Sequence, residues 1–403
     1  MKILMVSEDL PGTQIGGLGK HVVTLSNALL ALGHEVAILG RNDVGGPDPA
    51  REIGFKGRFI AGFDYRYPGW KELQLGVFNP LKRPWFAHKI GKAIMRHAAG
   101  FDAIHYHGHL PMVGLHLDPA LNYVQTRHDQ GSECLTHLRF RANAVCTTLE
   151  PRDCSACISA NAGVLRKSVT AVAVKGYRRQ TAASFGRQKT IFVSDFLRRQ
   201  FLRAVPDVDL SHCKVIHNFI DYGYLAAQAA REHLVEAGSI MLVGRVDAGK
   251  GFGEFLAEAA PRLPPNASLC IVGDGPERAA LAQRYGGARI RFLGWQDYDE
   301  VIRLAARSQL CVVPSVCEEA CSTTVLEALA LGKPCLALAR GGTPELAVYQ
   351  RYDGQLQLAA TMRALVDAML AELACAPRLA PLPASFGADA SLALPKLLEC
   401  YAE

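Results

Sequence analysis

The chain has 403 residues, more than one hydrophobic core usually covers, so the sequence predicts two domains. Hydrophobic residues make up 49% and charged residues 20%, a balance typical of globular proteins and not of disordered or fibrous chains. No apolar run approaches the ~20 residues of a membrane span, and Ser7 ends the N-terminal run early, which favours a buried strand over a signal peptide. A cytoplasmic location is therefore expected, with the 12 cysteines reduced.

Short apolar strands alternate with glycine-bearing loops and amphipathic helices in both halves of the chain. Buried parallel strands are predicted at 3–7, 35–40, 101–106, 122–126 and 190–194, and again in KVIHN, SIMLVG, SLCIVG, RIRFLG, QLCVVPS and PCLALA between 214 and 339. The pattern predicts an α/β protein with two doubly wound sheets. A proline and closely spaced acids at 204–212 mark the expected boundary between them.

Gly16 and Gly17 open the first helix after the first strand. Glycine there lets the backbone approach a phosphate or a sugar closely, so both are candidate donor-binding residues. The alternative is a dinucleotide fingerprint. The segment GGLGKH lacks the full GxGxxG spacing, which counts against that alternative.

Two segments of the first half are basic. Residues 81–97 interleave Trp85, Phe86 and other apolar residues with lysine and arginine, as an interfacial helix or an ordinary sheet-covering helix would. Residues 139–203 hold 13 Lys or Arg against 3 Asp or Glu, which favours an anionic partner such as a membrane surface. Nucleic acid is a poor candidate, because no recognition module is present.

Four cysteines, Cys134, Cys146, Cys154 and Cys157, cluster in a polar, turn-rich segment. Four thiolates could close a tetrahedral zinc site that folds such a segment. The last two form a CxxC pair, but the other spacings are not those of a standard zinc finger. Free thiols in an irregular insertion at about 130–160 remain the alternative.

The loop GRVDAGKGF at 244–252 follows an apolar strand and carries Arg245 and Lys250. Two cations in a glycine-rich loop between a strand and a helix suit a diphosphate, although surface loops often carry such charges. Two DxD patterns, Asp207 to Asp209 and Asp297 to Asp299, are interpreted as solvated turns or helix starts. No catalytic metal is therefore expected.

The segment EACSTTVLEA at 319–328 places Glu319 and Glu327 around a predicted helix start. Ser322, Thr323 and Thr324 are all helix-capping residue types, and the apolar run VLEALAL after them predicts the helix. Free backbone N–H groups and the helix dipole make such a start a seat for phosphate. The alternative is a capping box in which Glu327 only reaches back to its own helix.

Together these segments resemble family 4 of the retaining glycosyltransferases, which have the GT-B fold. The motifs that carry the resemblance are GGLGKHVVTLSNALLALGHEV, TRHD, FVSDFLRR, VIHNFID, GRVDAGKGF, VGDGPER, FLGW, EACSTTVLEA and GGTPEL, in family order. The resemblance implies that Arg245 and Lys250 bind the diphosphate of the donor. It further implies that Glu327 binds the nucleotide ribose and that Glu319 binds the transferred sugar.

By the same resemblance, His128 of TRHD faces the donor sugar, and Asp274 and Trp295 lie beside the nucleobase. One departure is Cys321-Ser322, where the family often has Phe-Gly. Backbone N–H groups at Ser322, Thr323 and Thr324 can still bind the donor, but the sugar pocket has a different shape.

The resemblance implies two facing Rossmann-like domains with a cleft between them. Their expected limits are 1–207 for the acceptor side and 208–384 for the nucleotide-sugar side, with 385–403 a helix that returns to the first domain. The implied activity is transfer of a hexosyl-type unit from a nucleotide-diphosphate sugar to an acceptor hydroxyl, with retention. The acceptor could be a sugar, a lipid-linked glycan or a small molecule. Two alternatives stay open: a nucleotide-sugar 2-epimerase, and a non-catalytic sugar-nucleotide-binding subunit of a glycan assembly machine.

Overall fold

The computed structural model of the protein describes residues 1–12, 16–64, 81–158, 163–232, 234–378 and 381–402. The chain forms two compact units. Unit 1 comprises Met1–Arg141, Cys146–Asn218 and Ala390–Glu403, and unit 2 comprises Ala142–Val145 and Phe219–Asp389. Residues 159–160, at the end of the predicted cysteine-bearing insertion, lie outside the described residues.

Unit 1 is built on a seven-stranded sheet whose strands are short apolar runs. The strands of this sheet are β1 (Lys2–Ser7), β2 (Glu35–Arg41), β3 (Arg58–Phe63), β4 (Ala103–His107), β5 (Tyr123–Arg127), β8 (Lys189–Phe192) and β9 (Cys213–Val215). Between β5 and β8 in the chain, β6 (Phe140–Arg141) and β7 (Ala144–Val145) form a separate two-stranded ribbon. The order in the large sheet is β3-β2-β1-β4-β5-β8-β9, and the pairings are parallel. Strand order therefore reverses between β1 and β4, where doubly wound sheets bind ligands.

Helices lie against this sheet. They are α1 (Gly17–Ala31), α2 (Pro49–Glu52), α3 (Arg83–His97), α4 (Pro151–Ile158), α5 (Val164–Phe185) and α6 (Asp195–Ala204), and the C-terminal helix α13 (Ala390–Ala402) belongs to the same unit. Buried Tyr401 of α13 shares a 2.6 Å hydrogen bond with Nδ1 of His105 in β4. This hydrogen bond joins the C-terminal helix to the sheet of unit 1.

Unit 2 has a six-stranded parallel sheet in the order β12-β11-β10-β13-β14-β15. Its elements are α7 (Tyr222–Ala229), β10 (Glu236–Val243), α8 (Phe252–Ala259), β11 (Ser268–Val272), α9 (Arg278–Tyr285), β12 (Ile290–Gly294), α10 (Tyr298–Arg307), β13 (Ser308–Val313), α11 (Thr323–Ala330), β14 (Cys335–Leu338), β15 (Leu356–Ala359) and α12 (Met362–Leu373). The order is that of a Rossmann sheet, and it reverses between β10 and β13. The predicted fold class is confirmed: both units are Rossmann-like.

Two sequence interpretations were wrong in detail. The KVIHN run, grouped with the second half, forms the edge strand β9 of the first sheet, because β8 offers it a parallel partner: Phe192 pairs with Val215. The unit boundary accordingly falls between Asn218 and Phe219, whereas a division at 207/208 would separate β9 from its sheet.

Helix α3 covers the sheet and turns its apolar face inward. Phe86, Ile90 and Ile94 are at most 1% exposed and belong to the core cluster of unit 1. In an interfacial helix these apolar side chains would be exposed so that they could enter the membrane, but here they are buried against the sheet. Helix α3 is therefore an ordinary sheet-covering helix. Among the described residues, no helix is both long enough and apolar enough to cross a bilayer.

Candidate functional site

The loops after β10 and β13 meet where the strand order of unit 2 reverses. Nζ of Lys250, in the first loop, lies 2.5 Å from Oε1 of Glu319, in the second. The hydroxyl of Ser315 donates to the same carboxylate oxygen at 2.6 Å. A cation, a carboxylate and a hydroxyl from two loops therefore form one hydrogen-bonded group at the switch point.

The electrostatics of this pair are set by burial and by mutual attraction. Burial alone would raise the pKa of Glu319, but Lys250 and the Ser315 hydroxyl hold it below its usual value. Burial alone would lower the pKa of Lys250, but the Glu319 carboxylate keeps it above its usual value. Both groups are therefore charged at neutral pH.

The first loop is shaped by its own side chains and by close backbone packing. The carboxylate of Asp247 accepts a hydrogen bond from the Lys250 backbone N–H at 3.1 Å and from Nε of Arg245 at 2.5 Å. Gly251 has φ of +69°, and a Cβ there would stand 2.2 Å from the carbonyl oxygen of Pro314. Only glycine allows the two loops to approach this closely. The Arg245 side chain is 63% exposed and so accessible to an anion.

Two neighbouring loops pack on the same edge of the sheet. The carbonyl of Asp274 accepts from the Val246 backbone N–H at 2.9 Å, so the loop after β11 contacts the loop after β10. The Asp274 carboxylate accepts from the next backbone N–H, that of Gly275, at 2.8 Å. Trp295 follows β12 and is 51% exposed, which leaves its ring available for stacking.

Helix α11 begins as the sequence predicts, with Ser322 as its N-cap and Thr323 as its first residue. The capping-box alternative for Thr324 and Glu327 fails, because Thr324 lies inside the helix and its N-cap makes no side-chain bond. Glu327 instead shares a hydrogen bond with the hydroxyl of Tyr298. The pKa of Tyr298 is raised well above its usual value, mainly by burial and next by the negative charge of Glu327. Tyr298 is therefore neutral and donates its hydroxyl proton to the Glu327 carboxylate in this hydrogen bond.

His128 lies in unit 1, directly after β5, in a cluster of histidines. One ring nitrogen from each of His21, His107 and His128 lies within 4.8 Å of the others, and Nδ1 of His107 is 3.0 Å from Nε2 of His128. The pKa of His128 is lowered well below its usual value, mainly by burial and next by the neighbouring His21. Burial lowers that of His21 to about 4. These rings are therefore neutral at pH 7, and each keeps one unprotonated nitrogen that can accept a hydrogen bond.

A second cluster stands beside the first. Oδ2 of Asp129 lies 2.6 Å from Nδ1 of His109 and 3.0 Å from Nδ1 of His137. Burial alone would lower the pKa of His109, but Asp129 and Asp9 raise it well above its usual value. Against the effect of burial, the two histidines in turn hold the pKa of Asp129 well below its usual value, so its carboxylate is ionised. Its hydrogen bonds to both rings fix the turn that carries His128.

The structure brings together some predicted residues and adds others. Lys250, Glu319 and the start of α11 meet in unit 2, whereas Gly16, Gly17 and His128 belong to unit 1. Gly16 is the N-cap of α1 and makes no side-chain cap bond. Sequence reasoning missed Ser315, Asp247, Tyr298, His21 and His107. The HxH spacing at 105–107, which puts both rings on one face of a strand, was a usable signal for His107.

Comparison with known proteins identifies the family. The family model described as Glycosyltransferase Family 4 matches residues 15–223, more than half of the chain, and the model described as Glycosyl transferases group 1 matches residues 237–374. The chain belongs to glycosyltransferase family 4. Both matched regions contain a sheet whose switch-point loops carry the groups described above.

Several relatives of this family-4 glycosyltransferase are known. A glycogen synthase of Mycobacterium tuberculosis is 28% identical over 379 residues, 86% of this chain and 80% of its own length. An N-acetyl-alpha-D-glucosaminyl L-malate synthase of Bacillus anthracis is 34% identical over 158 residues, 35% of this chain and 38% of its own.

Solved structures agree on the fold. A sucrose-phosphate synthase from Thermosynechococcus elongatus superposes with a TM-score of 0.63 at 22% identity, covering 93% of this chain and 90% of its own. The Anabaena protein HepE, solved with UDP-glucose, superposes with a TM-score of 0.57 at 18% identity, covering 92% and 89%. The fold of this family-4 glycosyltransferase is therefore GT-B.

Proposed function

We propose that the protein transfers a hexosyl-type unit from a nucleotide-diphosphate sugar to an acceptor hydroxyl with retention of anomeric configuration. The observation that carries the proposal is the Lys250–Glu319 pair at the switch point between β10 and β13, with Glu319 in the loop that leads into α11. A cation and free backbone N–H groups suit a diphosphate, and a carboxylate suits sugar hydroxyls.

In the proposed reaction, the bond between the anomeric carbon and the diphosphate oxygen breaks, and the acceptor oxygen bonds to that carbon. The nucleoside diphosphate leaves with the bonding electrons, and its departing oxygen takes up the proton that the acceptor hydroxyl gives up. Arg245, Lys250 and the N-terminus of α11 stabilise the charge that develops on the leaving group. These cations supply the compensation that a metal ion gives in other transferases, so we propose that turnover needs no metal.

The remaining groups bind and orient the donor in this proposal. Glu319 holds the transferred sugar, and Glu327, fixed by Tyr298, binds the ribose. We assign Asp274 and Trp295 to the nucleobase, as the family resemblance implies. His128 keeps the role that the family resemblance implies, next to the donor sugar, and its ring is neutral.

The test is a panel of UDP-, GDP-, ADP- and dTDP-sugars, measured first by calorimetric binding and then by slow hydrolysis. The donor that binds is then offered to candidate acceptors, and the anomeric configuration of the product is read by NMR. We expect release of nucleoside diphosphate and a retained linkage, unaffected by EDTA. A changed sugar nucleotide formed without acceptor would indicate the 2-epimerase instead, and binding without turnover would indicate the non-catalytic subunit.

For the acceptor side, we propose contact with an anionic membrane through helix α5. Its residues Leu165, Val169 and Val172, at helical spacing, are 80%, 47% and 71% exposed, and exposed Arg166 and Lys175 flank them. An apolar stripe with basic neighbours matches an anionic lipid surface, where each basic residue contributes about 1 kcal/mol. This surface, rather than α3, supports a lipid-linked acceptor.

Co-sedimentation with anionic and neutral vesicles at low salt tests the membrane contact. The wild type should bind anionic vesicles only, and Leu165→Asp should weaken binding several-fold. Val348→Asp is the matched control, because Val348 is 75% exposed in unit 2. Equal, negligible binding to both kinds of vesicle would contradict the membrane contact and would favour a soluble acceptor.

A further inference from the structure

The cysteine segment, defined here as residues 133–158, has little apolar core of its own. Its ribbon strands β6 and β7 have two residues each, and in α4 only Ser155 is buried. Four non-glycine residues between the first two cysteines have positive φ, namely His137, Arg139, Ala142 and Asn143. Left-handed backbone at such residues costs roughly 1 kcal/mol each, so this segment needs something beyond its own packing to hold it.

The four cysteines of this segment form two pairs: Cys134 and Cys146 flank the ribbon, and Cys154 and Cys157 lie in α4. Cys154 and Cys157 lie three residues apart in α4, and each of them interacts electrostatically with both Cys134 and Cys146. All four are half-buried and none forms a disulfide. Cys134 precedes the ribbon and Cys146 follows it, and the Cys146 backbone N–H bonds to the carbonyl of Arg139 at 2.5 Å. The side chain of Arg178 bonds to Sγ of Cys154 and to the carbonyls of Glu133 and Leu149, so it ties helix α4 to the residues next to Cys134 and close to Cys146 in the chain.

A buried cation contacts one of these thiols. Arg178 of α5 is only 7% exposed, and it donates to Sγ of Cys154 at 3.4 Å and to the carbonyl of Glu133 at 3.2 Å. Arg141 interacts electrostatically with Cys157. A thiol accepts only weakly, whereas a thiolate accepts a charge-assisted hydrogen bond from a guanidinium. The arginines thus suit a cluster that carries negative charge.

We propose that Cys134, Cys146, Cys154 and Cys157 bind one Zn²⁺ ion that fastens the β6–β7 ribbon to helix α4. Four thiolates around Zn²⁺ carry a net charge of −2, which Arg178 and Arg141 partly neutralise. Zinc accepts four sulfurs in a closed tetrahedron, the arrangement of structural sites, so the ion would stabilise the fold of the segment and take no part in transfer.

Binding requires the thiols to draw together. Zn–S bonds of about 2.3 Å place the sulfurs of a tetrahedral site about 3.8 Å apart. Among the described residues, two groups already have potential ligand atoms within 4.8 Å of one another, and neither includes a cysteine. They are His21, His107 and His128, and His109, Asp129 and His137. A test must therefore distinguish the cysteines from these two groups as the metal ligands.

The full chain, purified under reducing conditions without chelators, is analysed for metals by mass spectrometry. We expect about one zinc per chain, falling to near zero in Cys154→Ser/Cys157→Ser. The matched control, Cys213→Ser/Cys375→Ser, removes the same number of thiols elsewhere and should keep the zinc. His107→Gln should also keep it.

Because the double variant could fail to fold, the wild type is also reconstituted with Co²⁺. A thiolate-to-cobalt charge-transfer band with tetrahedral visible bands is expected, and it should disappear when zinc is added. Chelation should expose the segment to proteolysis and leave nucleotide-sugar binding intact. Absence of metal, iron in place of zinc, a Cys154–Cys157 disulfide under reducing conditions, or zinc that persists in Cys154→Ser/Cys157→Ser would each overturn the proposal.

Discussion

Neutralising Glu319 tests the central pair of the candidate site, because it leaves the Lys250 ammonium without its carboxylate partner. In Glu319→Gln the side chain keeps its shape and loses its charge. A charge-assisted hydrogen bond contributes about 1.5 to 3 kcal/mol. Lys250 is about a third exposed, so water partly replaces the lost partner. The lower part of that range applies, and we expect a loss of about 1.5 to 2 kcal/mol of unfolding free energy.

Urea unfolding at pH 7 measures this loss, and calorimetry should show a melting temperature about 3 to 8 °C lower for a domain of this size. The control is Glu300→Gln, which breaks the surface pair with Arg303 one helical turn away. Exposed pairs contribute about 0.5 kcal/mol or less, so the control should change little.

The pH dependence gives a second measurement of the same charge. The pKa of Glu319 is held below its ordinary 4.5, so its contribution is present above pH 4.5 and is lost as pH falls through the lower, folded value. The difference in stability between wild type and Glu319→Gln should therefore shrink on acidification. A variant as stable as the Glu300→Gln control, or a difference that does not change below pH 4.5, would refute the reasoning.

Three further predictions use other parts of the molecule. Arg245→Ala and Glu327→Ala should each weaken nucleotide-sugar binding by about 1.5 to 3 kcal/mol in calorimetric titration, and unchanged affinity in both folded variants would contradict the donor-site assignment. Gly251→Ala should lower the unfolding free energy by at least about 1 to 2 kcal/mol, because φ is +69° and its Cβ would meet a carbonyl oxygen at 2.2 Å. Gly253→Ala, where the nearest atom is 3.5 Å away, should raise it by about 0.5 kcal/mol, and a reversed order would contradict the packing argument. The raised pKa of His109 means that its contribution is full below pH 6.5 and lost as pH rises through the folded value, so the stability gap to His109→Gln should close on alkalinisation and not widen.

Local signals in the sequence were enough to predict the regular elements near the site. Ser322 begins α11 because a capping residue precedes an apolar helical run, and Asp297 begins α10, where its carboxylate accepts the Glu300 backbone N–H at 2.8 Å. The two-sheet α/β class followed from strand, loop and helix patterns. Each of these signals lies within a few residues, so no knowledge of the rest of the chain was needed.

The partners of the site residues depended on tertiary structure. Glu327 hydrogen-bonds to Tyr298 and not to its own helix terminus, and α3 turns its apolar face to the sheet. Helix periodicity is the same for a face that meets a core and for one that meets a membrane, so the pattern at 81–97 could not separate them. Which surface each face covers is decided by the neighbouring elements.

Strand order is the feature that the sequence alone did not determine. Lys250 and Glu319 are 69 positions apart, and they meet because β10 and β13 are neighbours in the sheet. KVIHN joined the first sheet for the same reason: β8 had a free parallel edge for β9. Apolar pattern specifies that a segment is a buried strand, whereas the partner it pairs with is set by which non-local contacts bury the most surface and satisfy the most backbone hydrogen bonds at once.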